Sequence, residues 1–163
     1  MNTIDLFESV RNYIADDADM RSLLNQTTKA NTLKVILFRD GEYISIKDRY
    51  QYPAIAIAMA DDDTPEAIAS NNVFLHLMPV NTVANANCMK VNYMIKDRLR
   101  ELLDNKTNDD TKHVAINAQA LALGLSLKVR GVFWVSASPY EDKEQGSERL
   151  HKISCFIKMV VGD

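Results

Sequence analysis

Two long stretches near the C-terminal end of the chain alternate between apolar and polar residues, and this alternation constrains the fold more than any other feature. In the first stretch one parity reads Leu125, Leu127, Val129, Gly131, Phe133 and Val135, and the other contains Ser126, Lys128, Arg130 and Trp134. In the second stretch Ile153, Cys155, Ile157, Met159 and Val161 alternate with Lys152, Ser154, Phe156 and Lys158. A period of two is typical of a β-strand with one buried face. The sequence therefore predicts strands over residues 125–135 and 149–161 that pair antiparallel.

The segment that joins these two strands, residues 139–148, is polar and charged. It is longer than a tight hairpin turn requires. A strand of about 13 residues at ~3.3 Å each is roughly 40 Å long, which is comparable to the width of a domain of this size. We therefore expect a long C-terminal hairpin that projects from the domain.

Three segments show the periodicity of helices. Ile4, Phe7, Val10 and Ile14 recur at helical spacing, and residues 17–24 offer an N-cap followed by apolar residues. Between residues 84 and 104 the apolar positions again step by three or four; they are Cys88, Val91, Ile95, Leu99 and Leu102. The sequence predicts an N-terminal helix, a short second helix, a loop over residues 25–32 and one long central helix.

Three further segments are predicted to form strands. Residues 33–38 and 43–46 flank the turn dipeptide Asp40-Gly41, which favours a β-hairpin. Residues 54–60 follow Tyr52-Pro53 and alternate alanine with larger residues, which indicates a strand approached closely on one face. Residues 73–80 form another apolar segment, which we expect to be covered on both faces.

Residues 105–113 are polar, and we expect a mobile loop there. The alanine-rich residues 114–123 favour a short helix ended by Gly124, although the same residues are compatible with a strand. Apolar periodicity continues along the 163 residues without a linker or repeat. The predicted fold is a single α+β domain over residues 1–163. Its mixed, mainly antiparallel sheet carries the long C-terminal hairpin and is packed by the N-terminal helix and the central helix.

Charge and composition disfavour several classes of function. The 19 basic and 22 acidic residues give a formal charge of -3, which does not favour binding to nucleic acid or to an anionic membrane. Only five glycines occur, and they form no phosphate-binding motif, so no nucleotide cofactor is expected. Asp5 and Glu8 lie where a signal peptide would be basic, and no segment reaches 18 uninterrupted apolar residues, so we expect a cytoplasmic protein.

The residues that most often carry catalysis occur without a catalytic pattern. Cys88 and Cys155 are expected to be buried thiols, and the three histidines, His76, His113 and His151, have no Cys or His at ligand spacing. No nucleophile motif is present, so we expect neither an enzyme nor a metal site. One alternative remains, which is a small metal-dependent hydrolase that uses Asp61, Asp62 and Asp63 after a strand. A solvated turn explains the same three carboxylates.

Long hairpins with polar tips, in a chain without pocket chemistry, favour a role in assembly. Exposed strand edges are templates for partner strands, and proteins that form rings or polymers use them. The alternative is a monomeric domain whose edges are protected by charged residues.

The order of elements resembles that of the tail terminator and neck proteins of tailed phages. The likeness spans nearly the whole chain and includes a Tyr-Pro-x-Ile-x-Ile strand opening, here Tyr52-Pro53-Ala54-Ile55-Ala56-Ile57. The resemblance implies a small α+β subunit of the virion, assembled in the host cytoplasm. A hexameric ring of such subunits caps the last layer of the tail tube and contacts the head connector. Residues 114–123 have no clear place in that pattern, which leaves a tail-tube or other connector subunit open.

By the same resemblance the chain is a homo-oligomer whose partners are the tail-tube protein and the head connector, with no cofactor and no membrane. The expected interface comprises the turn at residues 40–43, the acidic turn and the polar link. Its residues are Asp40, Gly41, Tyr43, Asp61, Asp62, Asp63, Tyr140, Glu141, Asp142, Lys143, Glu144, Gln145 and Arg149.

Overall fold

The structure is a computed structural model that describes residues 3–38, 52–59, 71–106, 111–138, 141–145 and 148–162. Its helices are α1 Thr3–Asp16, α2 Ala18–Leu23, α3 Lys29–Leu33, α4 Cys88–Leu102 and α5 Lys112–Ala122. Its strands are β1 Ile36–Phe38, β2 Ala54–Met59, β3 Asn72–Thr82, β4 Val129–Ala137, β5 Glu141–Gln145, β6 Glu148–Lys152 and β7 Cys155–Val161. The predicted α+β class is confirmed.

All seven strands belong to one sheet, and β3 is its central strand. On one side β3 pairs antiparallel with β2, which pairs parallel with β1. On its other side β3 pairs antiparallel with β7 through residues 72–77 and with β6 through residues 80–82. β7 then pairs with β4, and β6 pairs with β5. The mixed, mainly antiparallel sheet of the prediction is therefore confirmed.

The main hydrophobic core lies between the helices and one face of this sheet. α1 contributes Leu6, Val10 and Ile14, which are completely buried. Ile4 was expected to face the core but is 54% exposed. The buried stripe of α1 therefore starts one turn later, at Leu6 and Phe7.

The two alternate faces of β2 and β3 contact different clusters. Ile55 and Ile57 of β2 belong to the main core, whereas Ala56 packs with Met78, Val80 and Leu150 in a smaller cluster. Ala56 is the register partner of Met78, so this cluster joins neighbouring strands of the sheet; the close approach expected at the alanines stays a prediction.

The second helix begins as predicted, at the N-cap residue Asp17, and a third helix was missed. The Asp17 side chain accepts a hydrogen bond from Met20 N at 2.8 Å. The expected loop over residues 25–32 is wrong in its second half, because α3 starts at residue 29. The side chain of Thr28 accepts from Asn31 N at 3.1 Å and caps this helix. Five residues are too few to show helical periodicity.

An ion pair joins the start of α2 to α4. Arg98 Nε donates to Asp17 Oδ2 at 2.9 Å, and a second guanidinium nitrogen of Arg98 bonds Oδ1 of the same carboxylate. Burial opposes ionisation of Asp17, but the hydrogen bonds from Arg98 and from Met20 N outweigh it and lower the pKa of this carboxyl. The ion pair therefore stabilises the fold when Asp17 is ionised.

We expect Asp17→Asn to lower the free energy of unfolding by about 1–2 kcal/mol at pH 7. Asparagine keeps the cap of α2 but removes the charge, so the variant isolates the ion pair. Because the folded pKa lies below the unfolded value of about 3.9, this stabilisation is present above that value. It is lost as the pH falls through the folded pKa. Urea unfolding at a series of pH values measures it.

Asp19→Asn is the matched control, since Asp19 is 3.7 Å from Arg98 but largely exposed. This control should leave the stability unchanged within error. A difference between wild type and Asp17→Asn that stayed constant down to pH 2 would contradict the assignment.

The central helix is confirmed but begins at Cys88 rather than near residue 84. Asn87 has φ +56° and ψ +31°, a left-handed conformation that cannot continue a helix toward the N-terminus. The predicted apolar stripe is confirmed, because Ile95, Leu99 and Leu102 are buried in the core.

The alanine-rich segment forms α5, so the strand alternative is wrong. Gly124 follows α5 with φ +72°, as expected of a glycine that ends a helix. The helix begins at Lys112, two residues earlier than predicted. Residues 107–110, which belong to the expected loop over residues 105–113, lie outside the described ranges.

The structure describes only the first arm of the predicted N-terminal hairpin. β1 covers Ile36–Phe38 and pairs parallel with β2. The turn at Asp40-Gly41 and the second arm at residues 43–46 lie outside the described residues.

The C-terminal hairpin is present, but it consists of two segments. Its first segment is β4 paired with β7, and its second is β5 paired with β6. Between them Ser138 N donates to Ser154 O at 2.7 Å, and Ser154 N donates to Ser138 Oγ at 3.0 Å. The expected single strand over residues 149–161 is therefore interrupted at residues 153–154.

Two β-bulges in β4 overturn the predicted parity of that strand. The register shifts between Val129 and Gly131 and again between Trp134 and Ser136. Val132 is therefore completely buried, Trp134 packs against the core, and Val135 is exposed. The strand also begins at Val129, four residues later than expected. Each bulge adds one residue opposite a regular partner strand, so the side chains beyond it change face.

Candidate assembly surface

The predicted polar link is part of the sheet, and it supplies the outermost strand on one side. β5 and β6 pair from Glu141 opposite Lys152 to Gln145 opposite Glu148. The link is therefore a continuation of the long hairpin and not only a loop. We call β5 and β6 together the distal hairpin.

Six residues of the predicted interface lie on the distal hairpin. Five of them form β5, namely Glu141, Asp142, Lys143, Glu144 and Gln145, and Arg149 lies on β6 opposite Glu144. The other seven, Asp40, Gly41, Tyr43, Asp61, Asp62, Asp63 and Tyr140, lie outside the described residues. The structure thus brings together the C-terminal part of the predicted interface.

The distal hairpin is held to the body of the sheet through β6. Val80, Asn81 and Thr82 of β3 pair with Lys152, His151 and Leu150. Val83 N also donates to Arg149 O at 3.0 Å. Leu150 is buried in the smaller hydrophobic cluster. Hydrogen bonds and apolar burial together therefore anchor this part of the hairpin.

Three asparagines, which we call the asparagine cluster, connect β3, β6 and the start of α4. Asn92 Nδ2 donates to His151 O at 2.9 Å, and Asn85 Nδ2 donates to Asn81 Oδ1 at 2.9 Å. Asn81 and Asn92 are buried. A buried amide without partners would destabilise the fold, so these bonds fix how the distal hairpin is oriented against α4.

The outer edge of β1 bonds a side chain from α1. Arg11 Nε donates to Ile36 O at 2.7 Å, and another nitrogen of the same guanidinium bonds Leu33 O. The guanidinium also lies 5.9 Å from the centroid of the Phe38 ring. A second strand that paired here would have to displace Arg11, so we describe this edge as closed.

The outer edge of β4 is closed in a similar way. Asn117 of α5 donates from Nδ2 to Val129 O and accepts from Val129 N at Oδ1, both at 2.8 Å. Asn105 N donates to Val132 O at 2.9 Å. One asparagine side chain thus replaces both bonds that a neighbouring strand would make at Val129.

β5 differs from the other two edge strands. It is the last strand on its side of the sheet. Among the described strands, β5 pairs with β6 alone. Its sequence, Glu-Asp-Lys-Glu-Gln, carries charges that reduce indiscriminate pairing. Within the described ranges no further strand pairs with the outer edge of β5.

The sequence predicted residues 141–145 to be part of an interface, but it did not predict that they form an edge strand or that the edges of β1 and β4 are closed. Arg11 lies 25 residues before Ile36 along the chain, and Asn117 lies 12 residues before Val129. Such contacts depend on how the helices dock and leave no periodic signal.

No protein-family model and no curated protein matches the chain. In the described ranges no helix is long and apolar enough to cross a membrane. The same ranges contain no group of three His, Cys, Asp or Glu side chains that could hold a metal ion. The carboxylates of residues 61–63 lie outside those ranges, so the hydrolase alternative stays a prediction.

Proposed function

We propose that the chain is a structural subunit that associates with copies of itself through the open edge of β5. Its role is that of a phage tail terminator, forming a ring that caps the tail tube and contacts the head connector. The observation that supports self-association best is the difference between the edges. Those of β1 and β4 are closed by Arg11 and Asn117, whereas β5 offers backbone donors and acceptors.

A ring requires that two different surfaces of neighbouring subunits meet, because a contact between identical surfaces closes a dimer. The open edge of β5 supplies one of these surfaces. Strand addition at such an edge gives affinity through main-chain hydrogen bonds. The specific assignment to a tail terminator, and the ring of six, come from the resemblance in the order of elements.

The test uses two adjacent proline substitutions in β5, Lys143→Pro and Glu144→Pro. Neighbouring residues of an antiparallel strand point their N–H groups to opposite sides. One substitution therefore removes a donor from the outer edge, and the other removes a donor from the pairing with β6. We expect wild type to form a ring in light scattering and electron micrographs. The outer-edge proline should abolish the ring while the far-ultraviolet circular dichroism stays unchanged.

A second variant replaces residues 138–148 by a tight turn, which deletes β5. We expect this variant to fold and to be unable to cap tail tubes. A ring that persisted in the deletion variant and in both proline variants would exclude β5 as the contact. Continuous tubes in place of rings would favour the alternative of a tail-tube subunit. A wild-type protein that stayed monomeric at high concentration and did not bind tail tubes would contradict the proposal.

A further inference from the structure

The fold brings a cysteine and a histidine together that are 63 residues apart in the chain. Cys88 Sγ lies 3.3 Å from His151 Nδ1, within hydrogen-bonding distance for sulfur. Cys88 is the first residue of α4, and His151 lies on β6. Sequence analysis found no Cys or His beside this histidine, because the pair forms only when β6 packs against α4.

Cys88 lies at the N-terminal end of α4. The first N–H groups of a helix have no partners within the helix and form the positive end of its dipole. Asn87, the N-cap residue of α4, makes no side-chain hydrogen bond to these groups. Cys88 therefore lies beside helix N–H groups that the side chain of Asn87 does not bond.

A second observation concerns the polar atoms around this pair. Asn92 lies one helical turn after Cys88 and bonds the backbone of His151 through Nδ2. Its other polar atom, Oδ1, is buried and has no hydrogen-bond partner among the described residues. An acceptor left unpaired in the interior is destabilising.

His151 has the protonation state that a base requires. Burial lowers its pKa, so the imidazole is neutral at pH 7. When the sulfur carries the proton, Nδ1 is the acceptor and Nε2 carries the ring hydrogen. His151 can then take the proton of Cys88 as the sulfur attacks.

We propose that Cys88 and His151 form a nucleophilic thiol site that reacts with small electrophilic carbon compounds. In the reaction the sulfur of Cys88 forms a bond to the electrophilic carbon, and the leaving group departs with its electron pair. The thiol proton passes to Nδ1 of His151 and then to solvent. The site is independent of the assembly role, because it uses the inner side of β6 and not the edge of β5.

Cys155 serves as an internal control for the reactivity of Cys88. Cys88 is 8% exposed and lies between the exposed residues Asn87 and Met89. Cys155 is completely buried, and that burial raises the pKa of its thiol to about 12. The rates at which the two thiols react should therefore differ strongly in the folded protein and little in the unfolded chain.

The experiment is alkylation of the full chain by iodoacetamide at pH 7, followed by peptide mass spectrometry at each cysteine. In this reaction an S–C bond forms, the C–I bond breaks and iodide leaves. We expect Cys88 to react at least about tenfold faster than Cys155, and faster than the same cysteine in guanidinium chloride. His151→Gln should slow alkylation of Cys88 by at least about tenfold.

His113→Gln is the matched control, because His113 contacts Asn105 and not a thiol; its Cys88 rate should equal that of wild type. Circular dichroism verifies that each variant is folded. If His151→Gln does not fold, the proposal is tested by comparing the alkylation rate of Cys88 in native and in denatured wild-type protein. A native Cys88 rate no higher than the denatured rate overturns the proposal, and so does an unchanged rate in folded His151→Gln.

Discussion

Leu99→Ala is expected to lower the free energy of unfolding by about 3–5 kcal/mol, the range measured for buried leucines in other proteins. Leu99 is completely buried on α4 and belongs to the main core. Truncation removes three carbons from a site that the surrounding helices and sheet cannot fill without moving. The loss includes both the transfer of apolar surface and the cavity that remains. Urea unfolding followed by circular dichroism measures it.

Met94→Ala is the matched control for this measurement, since Met94 lies on the same helix and is 45% exposed. Alanine has the higher helix propensity, so the control should change stability by no more than about 0.5 kcal/mol. If the two variants lost equal stability, the assignment of the buried face of α4 would be wrong.

Asn117→Ala should cost about 2–4 kcal/mol and should also make the protein associate beyond the ring proposed for wild type. The substitution removes both hydrogen bonds to Val129, a residue that is almost completely buried. Its N–H and C=O groups then lack partners, and each such group is destabilising by about 1–3 kcal/mol. The same change opens the edge of β4 to another strand. Urea unfolding gives the stability, and sedimentation velocity gives the association.

Two further variants separate these effects. Asn117→Asp keeps the acceptor for Val129 N but loses the donor to Val129 O, so its stability should fall between those of wild type and Asn117→Ala. Gln119→Ala, on the same helix, should leave the edge of β4 closed and cause no association beyond that of wild type. An Asn117→Ala protein as stable as Gln119→Ala and no more associated would contradict the role assigned to Asn117.

The elements with strong periodicity were predictable from the sequence. α4 was recognisable because its apolar residues step by three or four over four turns, and β7 because Cys155, Ile157, Met159 and Val161 alternate strictly. Both have one face buried in a single large core, so the period of the sequence equals the period of the structure.

Errors arose where the backbone departs from a regular period. Residues 125–135 alternate well, yet the bulges of β4 place Val132 inside and Val135 outside. At Gly131 an added Cβ would lie 2.8 Å from an atom of the Phe133 ring, so a larger residue would not fit there without movement. A single glycine in an alternating run is compatible with a bulge, but it does not show on which side of the glycine the extra residue lies.

The candidate site was predictable only in part. Residues 141–145 were expected to belong to an interface because they lie in the polar tip of a long hairpin and because the resemblance implies a contact there. That they form an edge strand was not predicted. The bonds that close the other two edges and the pair formed by Cys88 and His151 join residues distant in the chain. Their geometry follows from helix docking, which no local pattern of residue types specifies.

The closed edges also bear on how the chain behaves during its own synthesis. A ribosome releases the chain from its N-terminus, so Arg11 is made 25 residues before Ile36, and Asn117 is made 12 residues before Val129. Each protecting side chain is therefore available before the strand edge that it covers. A chain diluted from denaturant has no such order, and the edges of β1 and β4 can collide with other molecules before α1 and α5 dock. Refolding yield should consequently fall with protein concentration more steeply than the yield of newly translated protein.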